Sequence, residues 1–164
     1  MPVLQVRELR TNPDSAAVAS RRHRTGGGYL DIVAGFIRSA EGRVAFRRGI
    51  EEARLRGARL IIVHSSKGGS HESDEEIIAN REELERIAEE LAAAGVEHEI
   101  RELVRGRTPA EDVISVANEM GADLIVIGLR RRSPMGKLIL GSNAQDILLQ
   151  ADCAVLAVKP EPMP

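Results

Sequence analysis

Between Asp123 and Asn143 the chain reads DLIVIGLRRRSPMGKLILGSN. An apolar run ends in Gly128, four cations follow (Arg130, Arg131, Arg132 and Lys137), and Gly141-Ser142-Asn143 then opens what reads as a helix. That order suits the binding of an anion. A helix N-terminus offers amides without intrahelical partners and the positive end of a dipole. A glycine at 128 lets the backbone turn where a side chain would block a ligand. Guanidinium groups can add paired contacts to a phosphate. The plainer alternative is a solvated basic loop ahead of a capped helix. Gly128, Arg131, Gly141, Ser142 and Asn143 are the candidate ligand-holding residues.

Other reactive side chains carry less. His64 is followed by Ser65, Ser66 and Lys67, but no G-x-S-x-G elbow occurs to present a nucleophile. His71 and His98 lack metal-ligand spacing. Cys153 heads an apolar run and reads as a small buried hydrophobe. No G-x-G-x-x-G follows the first strand of the domain, and no G-x4-G-K-[ST] occurs. No catalytic and no metal-binding residue is expected.

The elements that must position the loop follow from periodicity. YLDIVAGF (29–36) reads as a first strand and ARLIIVH (58–64) as a second, nearly all apolar, as when helices cover both faces of a sheet. Between them Ser39 offers a helix start, Phe46, Ile50 and Ala53 recur at helical spacing, and Gly57 a stop. Ser73-Asp-Glu-Glu76 and Thr108-Pro-Ala-Glu111 are capping boxes. The first opens a helix to about Ala94 with Ile77, Leu84, Ile87 and Leu91 on one face. The second opens a helix with Val113, Val116, Ala117 and Met120 inward, stopped by Gly121. VEHEIRELV (96–104) alternates and reads as an edge or half-exposed strand. DLIVIGL (123–129) and CAVLAVK (153–159) are the last strands, around a helix with Ala144, Ile147 and Leu148 inward. Such β-α alternation predicts an α/β fold with a parallel sheet and helices on both faces. Ligands of such sheets bind beyond the carboxyl ends of the strands, where strand order reverses.

Composition narrows the function further. The chain has 164 residues, 43% hydrophobic and 29% charged, which suits one soluble domain. Its only aromatics are Tyr29, Phe36 and Phe46, too few to stack single-stranded nucleic acid, and the net charge of −2 gives no basic footprint. No nucleic-acid partner is expected. No apolar run approaches the roughly 20 residues of a membrane span. One cysteine forms no internal disulfide and suits a reducing compartment, so the cytoplasm is the expected location. Residues 1–28 hold five arginines and two acids and close on RRHRTGGG, a flexible basic extension by composition. An arginine-rich contact for an acidic partner and a targeting peptide are the alternatives there. The domain then spans 29–160, with a short proline-rich tail at 161–164.

Residues 29–159 resemble the universal stress protein family. The resemblance is carried by IVAGFIRSAEG (32–42), ARLRGARLIIVH (53–64), RGRTPAEDVISVANEMGADLIVIG (105–128) and, most specifically, IGLRRRSPMGKLILGSNAQDILLQADCAVLAVK (127–159). It implies a single open sheet of five parallel strands in the order 3-2-1-4-5, of the adenine nucleotide alpha hydrolase-like kind. It also implies a homodimer paired through the fifth strands. Members that bind ATP carry G-x2-G-x9-G-[ST] after the fourth strand and an Asp at the end of the first. Gly128, Gly141 and Ser142 match that pattern. Arg131 replaces its middle glycine, and Ile37 stands where the Asp would be. The resemblance therefore implies a dimeric stress-response protein without turnover, with ATP, another adenine nucleotide or another phosphate ligand in an altered cleft. Two alternatives stand beside it: an interaction module with an empty cleft, and a weak ATPase, for which no acidic metal ligand is evident at the strand ends.

Overall fold

The computed structural model describes residues 6–8, 30–66, 73–104, 106–130 and 140–160. Among these residues six strands and four helices follow one another as β1 (Val6–Glu8), β2 (Asp31–Gly35), α1 (Ala40–Arg56), β3 (Arg59–Ser66), α2 (Asp74–Ala94), β4 (His98–Val104), α3 (Pro109–Met120), β5 (Leu124–Gly128), α4 (Ser142–Gln150) and β6 (Ala154–Val158). The strands form one sheet in the order β1-β4-β3-β2-β5-β6. β2 to β6 are the five parallel strands, in the expected order. β1 adds a sixth, antiparallel to β4, with Val6 opposite Leu103 and Glu8 opposite Arg101.

That pairing corrects one expectation. The strand of alternating residues, 98–104, does not lie at the edge: β3 flanks it on one side and β1 on the other. Its alternation reflects charged residues between the buried His98, Ile100 and Leu103 rather than an open flank. Of the expected basic extension 1–28, only Val6–Glu8 lies within the described residues. The tail 161–164 and His71 lie outside them.

The sheet is buried on both faces. Ile32, Ala34, Leu60, Ile62 and Val126 point to one side, where Phe46 of α1 and Leu84, Ile87 and Leu91 of α2 cover them. Val33, Ile61, Val63, Ile125 and Ile127 point to the other side, beneath Val113, Val116 and Ala117 of α3 and Ile147 of α4. Side chains alternate along a strand, so a run such as Leu60–Val63 must be apolar throughout to fill both layers.

The local signals for the helices hold in detail. Ser39 accepts from the Gly42 amide, and Ser73 and Thr108 form reciprocal capping boxes with Glu76 and Glu111. α1, α2 and α3 end on Gly57, Gly95 and Gly121, each with φ between 60° and 65°. Two apolar positions do not face inward as periodicity suggests. Ile77 is 49% exposed, and the buried residues of α2, Glu83, Leu84, Ile87 and Leu91, all lie in its later turns. Leu148 is exposed because Ile147 alone of α4 is buried.

The amino end of the sheet is tied electrostatically. Asp31 is buried and takes two hydrogen bonds from the Arg59 guanidinium, at 2.9 and 3.0 Å. The backbone joins in, the Asp123 amide donating to the Asp31 carbonyl at 2.9 Å. All of this lies at the opposite end from the cleft.

Candidate functional site

Chain order sets where a ligand can sit. From β2 the chain builds outward to β3 and β4, then returns through α3 to place β5 on the other side of β2. A crevice opens at the carboxyl ends around that reversal. The structure has a cleft there of about 100 Å³. Its walls come from Gly35, Phe36 and Ile37 after β2, Val63 and Ser65 of β3, Pro109 and Val113 of α3, Ile127 and Gly128 of β5, and Asn143, Ala144 and Ile147 of α4. Glu41 and Gly42, in the first turn of α1, close the remaining side.

The first turns of three helices therefore converge on one cleft, and they differ in how their amides are satisfied. α1 is capped by Ser39, and α3 by Thr108 and Glu111. α4 begins at Gly141, whose position makes no side-chain cap hydrogen bond. Among the described residues no side chain caps its first-turn amides, which have no intrahelical partner. Asn143 lines the cleft, and its side-chain oxygen accepts from the Ala110 amide of α3 at 3.4 Å, joining the two helix starts.

Gly128 lines the cleft too, but the need for glycine there differs from the one its position in the loop suggests. A Cβ on Gly128 would lie 2.0 Å from the Glu41 carbonyl oxygen. A Cβ on Gly42 would lie 1.9 Å from the carbonyl oxygen of Ile37. The first turn of α1 is thus packed backbone against backbone on both sides. Ile37 itself is held by a tight turn, its carbonyl accepting from the Ser39 amide at 2.8 Å, and its side chain is 42% exposed at the mouth of the cleft.

A charge pair crosses the α1 side of the mouth. Arg130 donates to Glu41 at 2.8 Å. Partial burial pulls the Glu41 carboxyl upward. Its hydrogen bond to the backbone, with those to Arg130 and Ser39, outweighs burial and holds the group below its ordinary value. Glu41 is therefore an anion at neutral pH, and it occupies one of the loop's cations.

A second polar pair was not visible in the sequence. Ser65 donates to Asp112 at 2.6 Å, across 47 residues. Asp112 is fully buried, and its Oδ1 has no hydrogen-bond partner among the described residues. The only hints were a serine closing an apolar strand and an acid in the first turn of a helix. His64, beside Ser65, is buried and is not part of the cleft wall. Its Nδ1 lies 3.2 Å from the Phe36 carbonyl, which can only accept, so Nδ1 carries the proton.

Of the five candidate residues, Gly128 and Asn143 line the cleft, Gly141 and Ser142 are exposed at the start of α4 beside it, and Arg131 lies outside the described residues. Cys153 is half-buried just before β6, not within it, and burial pushes its thiol above the ordinary value. Among the described residues no group of three or more His, Cys, Asp or Glu side chains is placed to hold a metal ion, and no helix is long and apolar enough to cross a membrane.

Comparison with known proteins gives one consistent result. The model of the universal stress protein family matches residues 28–159. A universal stress protein of Mycolicibacterium smegmatis is 38% identical over 129 residues, 79% of this chain and 97% of that protein. A universal stress protein structure from Archaeoglobus fulgidus shares 42% identity at a TM-score of 0.69, covering 79% of this chain and 98% of that one. A second structure of the protein from A. fulgidus, solved in complex with dAMP, shares 36% identity at a TM-score of 0.65, covering 79% and 97%. The parallel sheet, the cleft at its reversal point and the uncapped start of α4 all lie inside the matched span, and the chain belongs to the universal stress protein family.

Proposed function

We propose that the cleft binds an adenine nucleotide, with its phosphate on the amides that open α4 and its base against Val63, Pro109 and Val113. The start of α4 carries the reading, since among the described residues it is the helix end at the cleft that no side chain caps. The A. fulgidus relative bound to dAMP supports the base and the phosphate together. Ile37 at the mouth offers no acceptor to a ribose hydroxyl, which suits a ligand held by its base and its phosphate. The protein acts by binding rather than by turnover: Glu41, the one carboxylate side chain that the described residues bring to the cleft wall, is engaged by Arg130.

Calorimetric titration with AMP, dAMP and ATP, with and without a divalent cation, tests this. Ser142→Asp sharpens it. A carboxylate at the start of α4 favours the helix dipole but repels a phosphate. The variant should keep or slightly raise Tm while losing about tenfold in AMP affinity, the equivalent of about 1.4 kcal/mol. Unchanged affinity would remove the phosphate from this position. No heat with any nucleotide would leave an interaction module.

We further propose that the protein is a cytoplasmic homodimer joined through β6. Among the described residues that strand pairs only with β5, and Val155, Leu156, Ala157 and Val158 are half-buried along it. Exposed Ala154 begins the strand. A lysine there guards an edge against pairing, so sedimentation should show a dimer for the parent and a monomer for Ala154→Lys. A parent that sediments as a monomer at tens of micromolar would overturn the assignment.

A further inference from the structure

We propose that Ser65 and Asp112 together make the cleft selective for a ligand that presents a hydrogen-bond donor, the exocyclic amine of adenine, over one that presents a carbonyl. The inference rests on the nucleotide reading above and adds the atom that chooses the base.

A serine hydroxyl has one proton and two lone pairs. Ser65 points to the α3 face of the sheet, in the same layer as Ile61 and Val63, and lines the cleft. Its proton is already committed to Oδ2 of Asp112, 2.6 Å away. Asp112 is held in the first turns of α3, where the helix dipole favours negative charge, and it is fully buried. The hydroxyl cannot rotate to donate into the cleft without abandoning a buried carboxylate whose other oxygen already lacks a partner. Toward the ligand, Ser65 is an acceptor only.

The surroundings give this polarity its consequence. Val63, Val113 and Pro109 flank Ser65 with apolar surface, which suits the faces of a flat base and leaves Ser65 as the polar side chain on that wall. An amine edge placed there gains a hydrogen bond. A carbonyl edge at the same place sets two acceptors against each other and loses its water as well.

AMP and IMP differ at this position, an amine in one and a carbonyl in the other, and share ribose and phosphate. Titration of the parent with both should give about tenfold tighter binding of AMP. Ser65→Ala should bring the ratio near one, chiefly by weakening AMP. Asp112→Asn should also flatten it, because an amide can donate to the serine and free its proton for a carbonyl. Thermal melts establish that the variants fold. If Asp112→Asn does not fold, Ser65→Ala decides alone, since it deletes one oxygen. Equal affinity for AMP and IMP in the parent, or an unchanged ratio in Ser65→Ala, overturns the inference and leaves the nucleotide reading standing. Weak dAMP binding, with AMP and IMP equal, moves the donor to the ribose 2′-hydroxyl and overturns the assignment to the base. Failure of every nucleotide to bind overturns both readings.

Discussion

Gly128→Ala is expected to destabilise the protein by about 3 kcal/mol, the upper end of the usual cost of overpacking. The added methyl would stand 2.0 Å from the Glu41 carbonyl oxygen and 2.6 Å from its carbon, where ordinary contact begins near 3.4 Å. Both obstacles are backbone, so no rotamer change relieves them. Either α1 moves away from β5 or the end of β5 bends. For a domain of this size the loss corresponds to a fall in Tm of roughly 10 °C. Gly42→Ala should behave alike, because its methyl meets the Ile37 carbonyl at 1.9 Å. Gly141→Ala is the contrast. Among the described residues nothing lies within 4 Å of its Cβ position, and φ there is −69°, so the change should cost under about 1 kcal/mol. Equal Tm values for the Gly128 and Gly141 variants would refute the close approach. Since Ile37 and Glu41 both wall the cleft, the Gly42 and Gly128 variants should lose nucleotide affinity along with stability.

Phe46→Ala should cost about 4 kcal/mol, within the range for emptying a buried aromatic site. Phe46 is 1% exposed and packs edge-on against Phe36, with ring centroids 6.3 Å apart at 73°. The Arg43 guanidinium lies 5.8 Å from its ring centre, and Arg43 in turn donates to Glu90 of α2 at 2.8 Å. One ring thus joins the strand end that carries the cleft, the helix behind it and the neighbouring helix. Apart from Phe36, aliphatic residues fill the rest of this layer. Native stabilities are about 5–15 kcal/mol, and the variant would sit near the edge of folding. Urea melts give the number, and a loss under about 1 kcal/mol would mean that the layer relaxes around the gap.

Local rules made much of this legible from the chain. Ser39, Ser73 and Thr108 start helices because their side chains reach amides three residues on, which is decided within one turn. Gly57, Gly95 and Gly121 stop helices for an equally local reason. The strands β2, β3 and β5 announced burial on both faces through the apolar runs 32–34, 60–63 and 124–127. What escaped was whatever depends on how elements meet. Ser65 and Asp112 are 47 residues apart, and each is unremarked until β3 and α3 are packed. The glycine at 128 was legible, but not that a helix carbonyl requires it. Ile77 and Leu148 fit the helical period, yet a period gives only the side of a helix, not how far its neighbour extends. Val6–Glu8 overlaps VLQV (3–6), which can be read as a short strand, but its antiparallel pairing with β4 is decided only when the edge of the sheet is assembled.

That short strand bears on how copies of the protein can gather. A parallel sheet with two open edges can accept a neighbour at each, and head-to-tail addition then has no natural end. Here β1 lies across one side with its chain running the opposite way and, among the described residues, three residues of ladder, a poor template for another strand. Growth is left to β6 alone. In the dimer proposed above, a pairing of like edges would consume the open edge on both partners, and assembly would end at two. Deletion of residues 1–10 would reopen the second edge, and the first sign would be higher-order species during sedimentation rather than a change in the cleft.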